Sequence, residues 1–151
     1  MEPAQKILLI DDDPLVAQLI GLLVGAFRGT QYVLDHSPDY AGGLQRLLGG
    51  SYALCLLDYR LGDGDGLELL RNAKSRECPT PIILLTGDTR EEIDLAAMES
   101  GAADYICKTD FKAETFEQVV DYAIKTEAAR RQLRAGSQRS GASSGSQPDR
   151  P

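Results

Sequence analysis

Five short apolar runs alternate along this chain with segments of helical periodicity, and this alternation is the feature that most limits its fold. The runs lie at residues 6–10, 31–36, 52–57, 81–85 and 103–107. The segments that follow them predict helices at residues 14–27, 39–48, 67–73, 90–100 and 112–134. Strands joined by helical connections predict a parallel sheet with helices on both faces. Right-handed crossovers then favour a doubly wound α/β fold.

Residues 135–151 differ in composition from the rest of the chain. They are rich in Ser and Gly, contain no large apolar side chain, and carry Arg139 and Arg150 against Asp149 alone. Such a segment cannot bury enough apolar surface to offset the entropy lost on ordering. We therefore predict one domain at residues 1–134 and a disordered basic tail or linker at residues 135–151.

Charge and apolar content limit the partners of the chain. The formal net charge of −7 disfavours nucleic acid and anionic membrane surfaces as partners of the domain. No apolar run is long enough to span a bilayer, and the first residues do not resemble a signal peptide. The cysteines lack metal-site spacing, so we expect reduced thiols and a cytoplasmic location. The sole histidine, His36, is expected to be structural.

Polar side chains follow four of the five predicted strands. The carboxyl ends of parallel strands share one edge of the sheet, where ligands bind in this fold class. We therefore expect one pocket with three acids, one hydroxyl and one ammonium group: Asp11, Asp12, Asp58, Thr86 and Lys108. Clustered carboxylates suit a hard divalent cation such as Mg²⁺ or Mn²⁺. Together these groups are equipped for phosphoryl transfer, but they do not by themselves identify the attacking acid.

Four segments resemble the receiver domains of two-component response regulators, the CheY-like superfamily. They are KILLIDDDP at the first strand, LCLLDYRLGDGDGLELL at the third, PIILLTGD at the fourth and GAADYICK at the fifth. The resemblance covers residues 6–128 and implies a flavodoxin-like sheet of five parallel strands in the order 2-1-3-4-5. It also implies that a sensor histidine kinase phosphorylates Asp58 in a Mg²⁺-dependent reaction.

The resemblance implies a role for each residue of the pocket. The cation would be held by the side chains of Asp11, Asp12 and Asp58 and the backbone carbonyl of Arg60. The phosphoryl oxygens would be bound by Thr86, Lys108 and the backbone of Gly87. Tyr105 would change rotamer on activation, and Asp13 looks like the cap of the first helix.

The resemblance also implies the partners. Phosphorylation would change a binding surface made by the fourth helix, the fifth strand and the fifth helix. We expect a sensor histidine kinase and a histidine phosphotransfer protein or other downstream protein as partners, with no nucleic acid and no membrane. The chain would be a monomer or a weak homodimer. It would not be an enzyme beyond catalysing its own phosphorylation and dephosphorylation.

Two positions depart from the family pattern. Receivers usually carry a proline after the lysine of the fifth strand, in a cis peptide bond, whereas this chain has Lys108-Thr109. We expect this bond to remain cis so that the lysine reaches the pocket, although a non-proline cis bond costs about 2.5–4 kcal/mol. Gly62 stands where proline is common, so the loop that contains it is expected to be looser than usual.

Two alternatives come from other classes of protein. A small aspartate-nucleophile phosphatase of the haloacid dehalogenase type would use Asp11 as the nucleophile and Asp13 as its partner, which would leave Asp58 incidental. The chain lacks the later acidic pair of that class and leaves no room for its cap domain. A flavin-binding module of similar topology would need aromatic residues around the ring, and none are suitably placed.

A charged pair at the rim of the pocket is expected to modulate the lifetime of the phosphoryl group. Arg60 and Asp88 each lie two residues after a pocket residue, so they can pair over the site and hinder the hydrolytic water. Exposed pairs contribute only about 0–1 kcal/mol, so Arg60→Ala should speed dephosphorylation by a few-fold at most. The rate of phosphate release measures this effect, and equal rates in the variant and the wild type would exclude it.

Overall fold

The computed structural model describes residues 5–62, 64–87, 96–110 and 112–144. Its strands are β1 Gln5–Ile10, β2 Tyr32–Ser37, β3 Leu54–Asp58, β4 Arg60–Leu61, β5 Gly64–Asp65, β6 Ile82–Thr86 and β7 Asp104–Cys107. Its helices are α1 Pro14–Gly25, α2 Tyr40–Gly49, α3 Gly66–Ser75, α4 at the helical residues 96–99, and α5 Ala113–Ser144. A single 3₁₀ turn, Lys108–Asp110, joins β7 to the start of α5.

The main sheet confirms the predicted architecture. Its five strands pair in parallel in the order β2-β1-β3-β6-β7. Strands β6 and β7 are the fourth and fifth predicted strands, so this is the expected order 2-1-3-4-5. The register places Asp58 beside Leu85, and Thr86 beside Cys107, at the carboxyl edge.

Two apolar cores lie on opposite faces of this sheet. Successive strand residues point to opposite faces, so Leu8 and Ile10 pack on one side and Ile7 and Leu9 on the other. The first core also contains buried residues of α2, α3 and α4, and the second contains buried residues of α1 and α5. Because all four of these β1 residues are completely buried, the strand is held firmly where it delivers Asp11 to the edge.

The apolar spacing of the first helix predicts one buried face formed by Leu15, Leu19, Leu22, Leu23 and Phe27. Phe27 is buried and Leu23 packs partly against the core, as predicted, but Leu15, Leu19 and Leu22 are exposed. Ile20 and Val24 are buried instead. Gln18 is the only polar side chain of α1, so the apolar periodicity could not select one face. The start of the helix is as predicted: the Asp13 side chain caps it by accepting a hydrogen bond of 2.9 Å from Leu15 N.

Three local features of the structure bear on the expectations from the sequence. The Lys108–Thr109 bond is trans, so the predicted cis bond was wrong; without proline the trans form is strongly favoured. The glycine-rich loop contains a short antiparallel ladder between β4 and β5, with Asp63 outside the described residues. Helix α5 continues to Ser144, past the predicted boundary at residue 134, because each residue added to an established helix closes another hydrogen bond.

The cysteines and the apolar content of the helices can be compared with the sequence expectations. Cys55, Cys78 and Cys107 are all buried and unpaired. Within the described residues, no helix combines the length and the apolar character needed to cross a bilayer.

Candidate functional site

The carboxyl edge of the main sheet gathers polar side chains from four strands, as the sequence predicted. Asp11 follows β1, Asp58 and Thr86 end β3 and β6, and Lys108 follows β7. Asp11, Asp58 and Thr86 are buried, Lys108 is partly buried, and Asp12 is exposed. The site is therefore a polar pocket whose floor lies within the sheet and whose rim faces solvent.

Lys108 lies between the two buried carboxylates. Its ammonium nitrogen is 3.0 Å from Asp11 Oδ2 and 3.1 Å from Asp58 Oδ1, so one cation bridges groups at the carboxyl ends of β1 and β3. Burial by itself would lower the pKa of Lys108, but its contacts with Asp11 and Asp58 outweigh this effect and raise it. The lysine is therefore firmly protonated and balances part of the negative charge of the pocket.

One ammonium group does not balance all the carboxylates. Burial and the charge of Asp11 raise the pKa of Asp58 to about 6, although Lys108 and the backbone N–H of Arg60 act in the opposite direction. Burial is the larger of the two causes, and the excess of negative charge follows from the groups themselves, because three carboxylates lie beside one ammonium group. The pocket therefore favours the binding of a further cation.

The three acids fit such a cation. One carboxylate oxygen from each of Asp11, Asp12 and Asp58 lies within 4.8 Å of the other two. The buried Asp11 Oδ2 accepts no well-directed hydrogen bond from the described residues, although it lies beside Lys108. An all-oxygen set with open positions for water suits Mg²⁺ or Mn²⁺. This observation, together with the excess of carboxylates over ammonium groups in the pocket, supports the predicted metal site.

Backbone groups fix the directions of all three acids. Asp13 N donates to Asp11 Oδ1 at 2.9 Å, Arg60 N donates to Asp58 Oδ1 at 3.2 Å, and Gly62 N donates to Asp12 Oδ2 at 2.9 Å. Gly66 N donates to the carbonyl of Tyr59 at 2.8 Å, and a Cβ at position 66 would overlap the Asp58 carbonyl. The segment after β3 is therefore held close beneath the site.

Two supporting contacts were not predicted from the sequence. His36 Nε2 lies 2.7 Å from the backbone carbonyl of Asp11, and a carbonyl only accepts, so this nitrogen carries the proton and donates. The second contact is the hydrogen bond from Gly62 N to Asp12. The only signal in the sequence was the position of His36 in a predicted strand next to β1. Neither contact could be predicted, because each depends on how two separate backbone segments approach one another.

The remaining predicted residues surround this centre at different depths. Gly87 is exposed at the bend after β6, and Tyr105 is half-buried on β7 against the core that contains α2 and α3. Arg60 is exposed, with its guanidinium carbon 6.0 Å from the centre of the Tyr59 ring. Asp88 lies outside the described residues. The arrangement does not favour a phosphatase that uses Asp11 and Asp13, because Asp13 caps α1 and lies outside the acidic cluster.

Comparison with known proteins gives a family match. The family model "Response regulator receiver domain" matches residues 7–121. The chain is 36% identical over 110 residues to the transcriptional regulatory protein QseB of Haemophilus influenzae, covering 72% of this chain and 48% of the relative. It is also 36% identical over 110 residues to the regulatory protein VirG of Agrobacterium tumefaciens, covering 71% and 39%. The chain thus spans less than half of the length of these two relatives.

Solved structures show the same fold. The receiver domain of a Francisella response regulator aligns with a TM-score of 0.72 at 24% identity, covering 81% of this chain and 98% of that one. A CheY-like receiver domain from Methanospirillum hungatei aligns with a TM-score of 0.74 at 22% identity, covering 85% and 99%. At these identities the likeness supports the fold alone.

Asp58→Asn should stabilise the metal-free protein in a pH-dependent way. The pKa of Asp58 in the folded state is raised to about 6, so protonation of this carboxyl group stabilises the folded protein at low pH. This contribution to the free energy of unfolding is lost as the pH rises through about 6. The variant should match the wild type near pH 4 and exceed its free energy of unfolding by on the order of 1–2 kcal/mol above pH 7. Urea unfolding in the presence of a chelator at several pH values measures this difference.

A second variant is the control for this measurement. Asp12→Asn removes a carboxylate from the same cluster, but Asp12 is exposed, so its gain in stability should be smaller. A gain for Asp58→Asn that does not change with pH would contradict the interpretation.

Proposed function

We propose that this chain, which belongs to the response regulator receiver domain family, accepts a phosphoryl group on Asp58 from the phosphohistidine of a sensor histidine kinase. The observation that carries the proposal is the position of Asp58. It is buried at the end of β3, 3.1 Å from Lys108 and within the cluster of three acids. A carboxylate placed between an ammonium group and a cation site can approach an anionic phosphoryl group at low electrostatic cost.

The proposed reaction is a direct transfer. A carboxylate oxygen of Asp58 attacks phosphorus, the nitrogen–phosphorus bond of the phosphohistidine breaks, and the bonding electrons return to the imidazole ring. The product is an acyl phosphate on Asp58. Mg²⁺ or Mn²⁺ held by Asp11, Asp12 and Asp58, with the carbonyl of Arg60, would neutralise developing charge on the phosphoryl oxygens. Lys108 supplies the second positive charge, and its two carboxylate contacts hold it at the site beforehand.

The same residues explain how phosphorylation would change the molecule. Phosphorylation converts the carboxylate of Asp58 into an acyl phosphate, so its ion pair with Lys108 must be replaced by contacts with the new oxygens. We propose that Thr86 and the Gly87 backbone contribute to those contacts and that Tyr105 adopts a new rotamer. Thr86 and Tyr105 lie on neighbouring strands, so the change would shift the population of a surface made by α4, β7 and α5.

The family and its relatives indicate the general class of partner. The chain is a receiver domain of two-component signalling, and such relatives are signalling proteins and not classical enzymes. QseB is named a transcriptional regulatory protein and is about twice as long as the matched region. We propose that any contact with nucleic acid would be made by a separate output domain and not by this domain. For this domain we propose a cytoplasmic location, a kinase donor and a downstream protein partner.

An exposed apolar stripe on α1 suits the approach of the phosphodonor. Leu15, Leu19 and Leu22 are 70%, 40% and 74% exposed, and their spacing places them on one side of the helix. Because α1 begins directly after Asp11, Asp12 and the cap at Asp13, the stripe starts beside the pocket. We propose that a helix of the kinase or of a histidine phosphotransfer protein packs on this stripe and presents its phosphohistidine to Asp58.

Labelling with acetyl phosphate tests the assignment of the acceptor. Wild-type protein with Mg²⁺ should form one acid-stable, base-labile phosphorylated species, and Asp58→Asn should reduce labelling to background. Lys108→Ala should slow labelling by about 100-fold, because it removes one of the charges that stabilise the transition state. Phosphate uptake that persists in Asp58→Asn would refute the proposal, and loss of uptake only in Asp11→Asn would favour the phosphatase alternative.

Variants of the apolar stripe on α1 should affect transfer from a kinase but not labelling by acetyl phosphate. The double variant Leu15→Ala, Leu22→Ala should slow transfer from a phosphorylated histidine kinase by about 10-fold, because two apolar contacts are lost. Labelling by acetyl phosphate, which has no helical surface, should keep the wild-type rate. Val33→Ala is the matched control, since Val33 is 47% exposed but lies on β2. Equal slowing with both donors would show that the variant disturbs the pocket and would exclude docking at the stripe.

A further inference from the structure

Asp12 is the exposed member of the acidic cluster, and a single backbone donor holds it in place among the described residues. The N–H of Gly62 donates to Asp12 Oδ2 at 2.9 Å. Asp11 and Asp58 are buried, whereas the exposed Asp12 side chain is surrounded largely by solvent. Repulsion from the neighbouring carboxylates would otherwise favour rotamers that turn Asp12 away from them. The Gly62 N–H opposes this tendency.

The backbone at Gly62 is held from both sides. Strands β4 and β5 pair Arg60 with Asp65 and Leu61 with Gly64, which sets the path of the chain around Gly62. Leu61 is buried and belongs to the apolar core. Gly64 packs closely on the Tyr40 ring, since a Cβ at this position would lie 2.7 Å from a ring carbon. The donor is therefore anchored to the core and to α2.

We propose that the Gly62 N–H is a positioning group for the metal site: it fixes Asp12 through one carboxylate oxygen and leaves the other oxygen free to bind the cation. This inference rests on the proposed Mg²⁺-dependent function. A proline at position 62, which is common in similar receivers, has no N–H and cannot make this contact. The glycine that was expected to loosen the loop thus supplies a donor that proline lacks.

Two variants separate the N–H from the added side-chain bulk. Gly62→Ala and Gly62→Pro both place a Cβ near Asp12 Oδ2, at 3.0 Å by ideal geometry, but only proline removes the donor. Calorimetric titration of the full chain with Mg²⁺ should show about 10-fold weaker binding for Gly62→Pro and binding within about 2-fold of wild type for Gly62→Ala. Circular dichroism without metal checks that each variant is folded. Equal affinities in all three proteins, or equal losses in both variants, would overturn the proposal.

The amide of Gly62 gives an independent test that needs no change at position 62. In metal-free wild-type protein its hydrogen exchange should be slowed relative to a solvent-exposed amide, and Asp12→Ala should abolish this protection. With Asp12→Asn the side chain still has an acceptor oxygen, so partial protection should remain. Rapid exchange of the Gly62 amide in the wild type, or unchanged protection in Asp12→Ala, would overturn the proposal even if Gly62→Pro does not fold.

The measurements also separate this inference from the proposed function. Wild-type protein that does not bind Mg²⁺ would overturn both. Mg²⁺ binding and Asp58 labelling that are unaffected by Gly62→Pro would overturn only the role of the Gly62 N–H. Weaker Mg²⁺ binding in Gly62→Pro, with protection of the Gly62 amide that depends on Asp12, would support it.

Discussion

The ammonium group of Lys108 sits 3.0 Å from Asp11 and 3.1 Å from Asp58, and the charge balance of the carboxyl edge depends on this bridge. Without it, the two buried carboxylates and the exposed third would have no compensating charge from any side chain that the structure describes in contact with them. Even with it, three carboxylates lie beside one ammonium group, so the pocket has more negative charge than its own cation neutralises. This imbalance makes the pocket receptive to a divalent cation and, once the cation is bound, to an anionic phosphoryl group.

The sheet beneath the pocket keeps these like charges close together. The last four residues of β1 and all five residues of β3 are buried, and both strands have neighbours on either side. Two apolar cores hold the sheet from opposite faces, so movement of either carboxylate would disturb close packing. The exposed Asp12 lacks this support, and here the structure uses a backbone N–H from a short, anchored hairpin. Burial in the sheet thus fixes Asp11 and Asp58, and a backbone hydrogen bond fixes the exposed Asp12.

Much of this arrangement could be predicted from the sequence because it follows from the ends of strands. Asp11, Asp58, Thr86 and Lys108 each end or follow an apolar run, and parallel strands bring such positions to one edge. The packing face of α1 could not be predicted, because apolar residues surround that helix almost completely. Strands β4 and β5 are two residues each, too short for any periodic signal. The contacts of His36 and Gly62 depend on backbone direction, which composition does not encode.

Helix α5 carries a mechanical consequence for the whole molecule. Its first part supplies Phe116 and Val120 to the core beneath the sheet, and the same unbroken helix extends over 32 residues to Ser144. At 1.5 Å per residue this is a rod about 48 Å long. A small rotation at the anchored end is therefore magnified into a displacement of several ångströms at the far end. Helix α5 thus connects the core next to the strands of the pocket with its own distant C-terminal end.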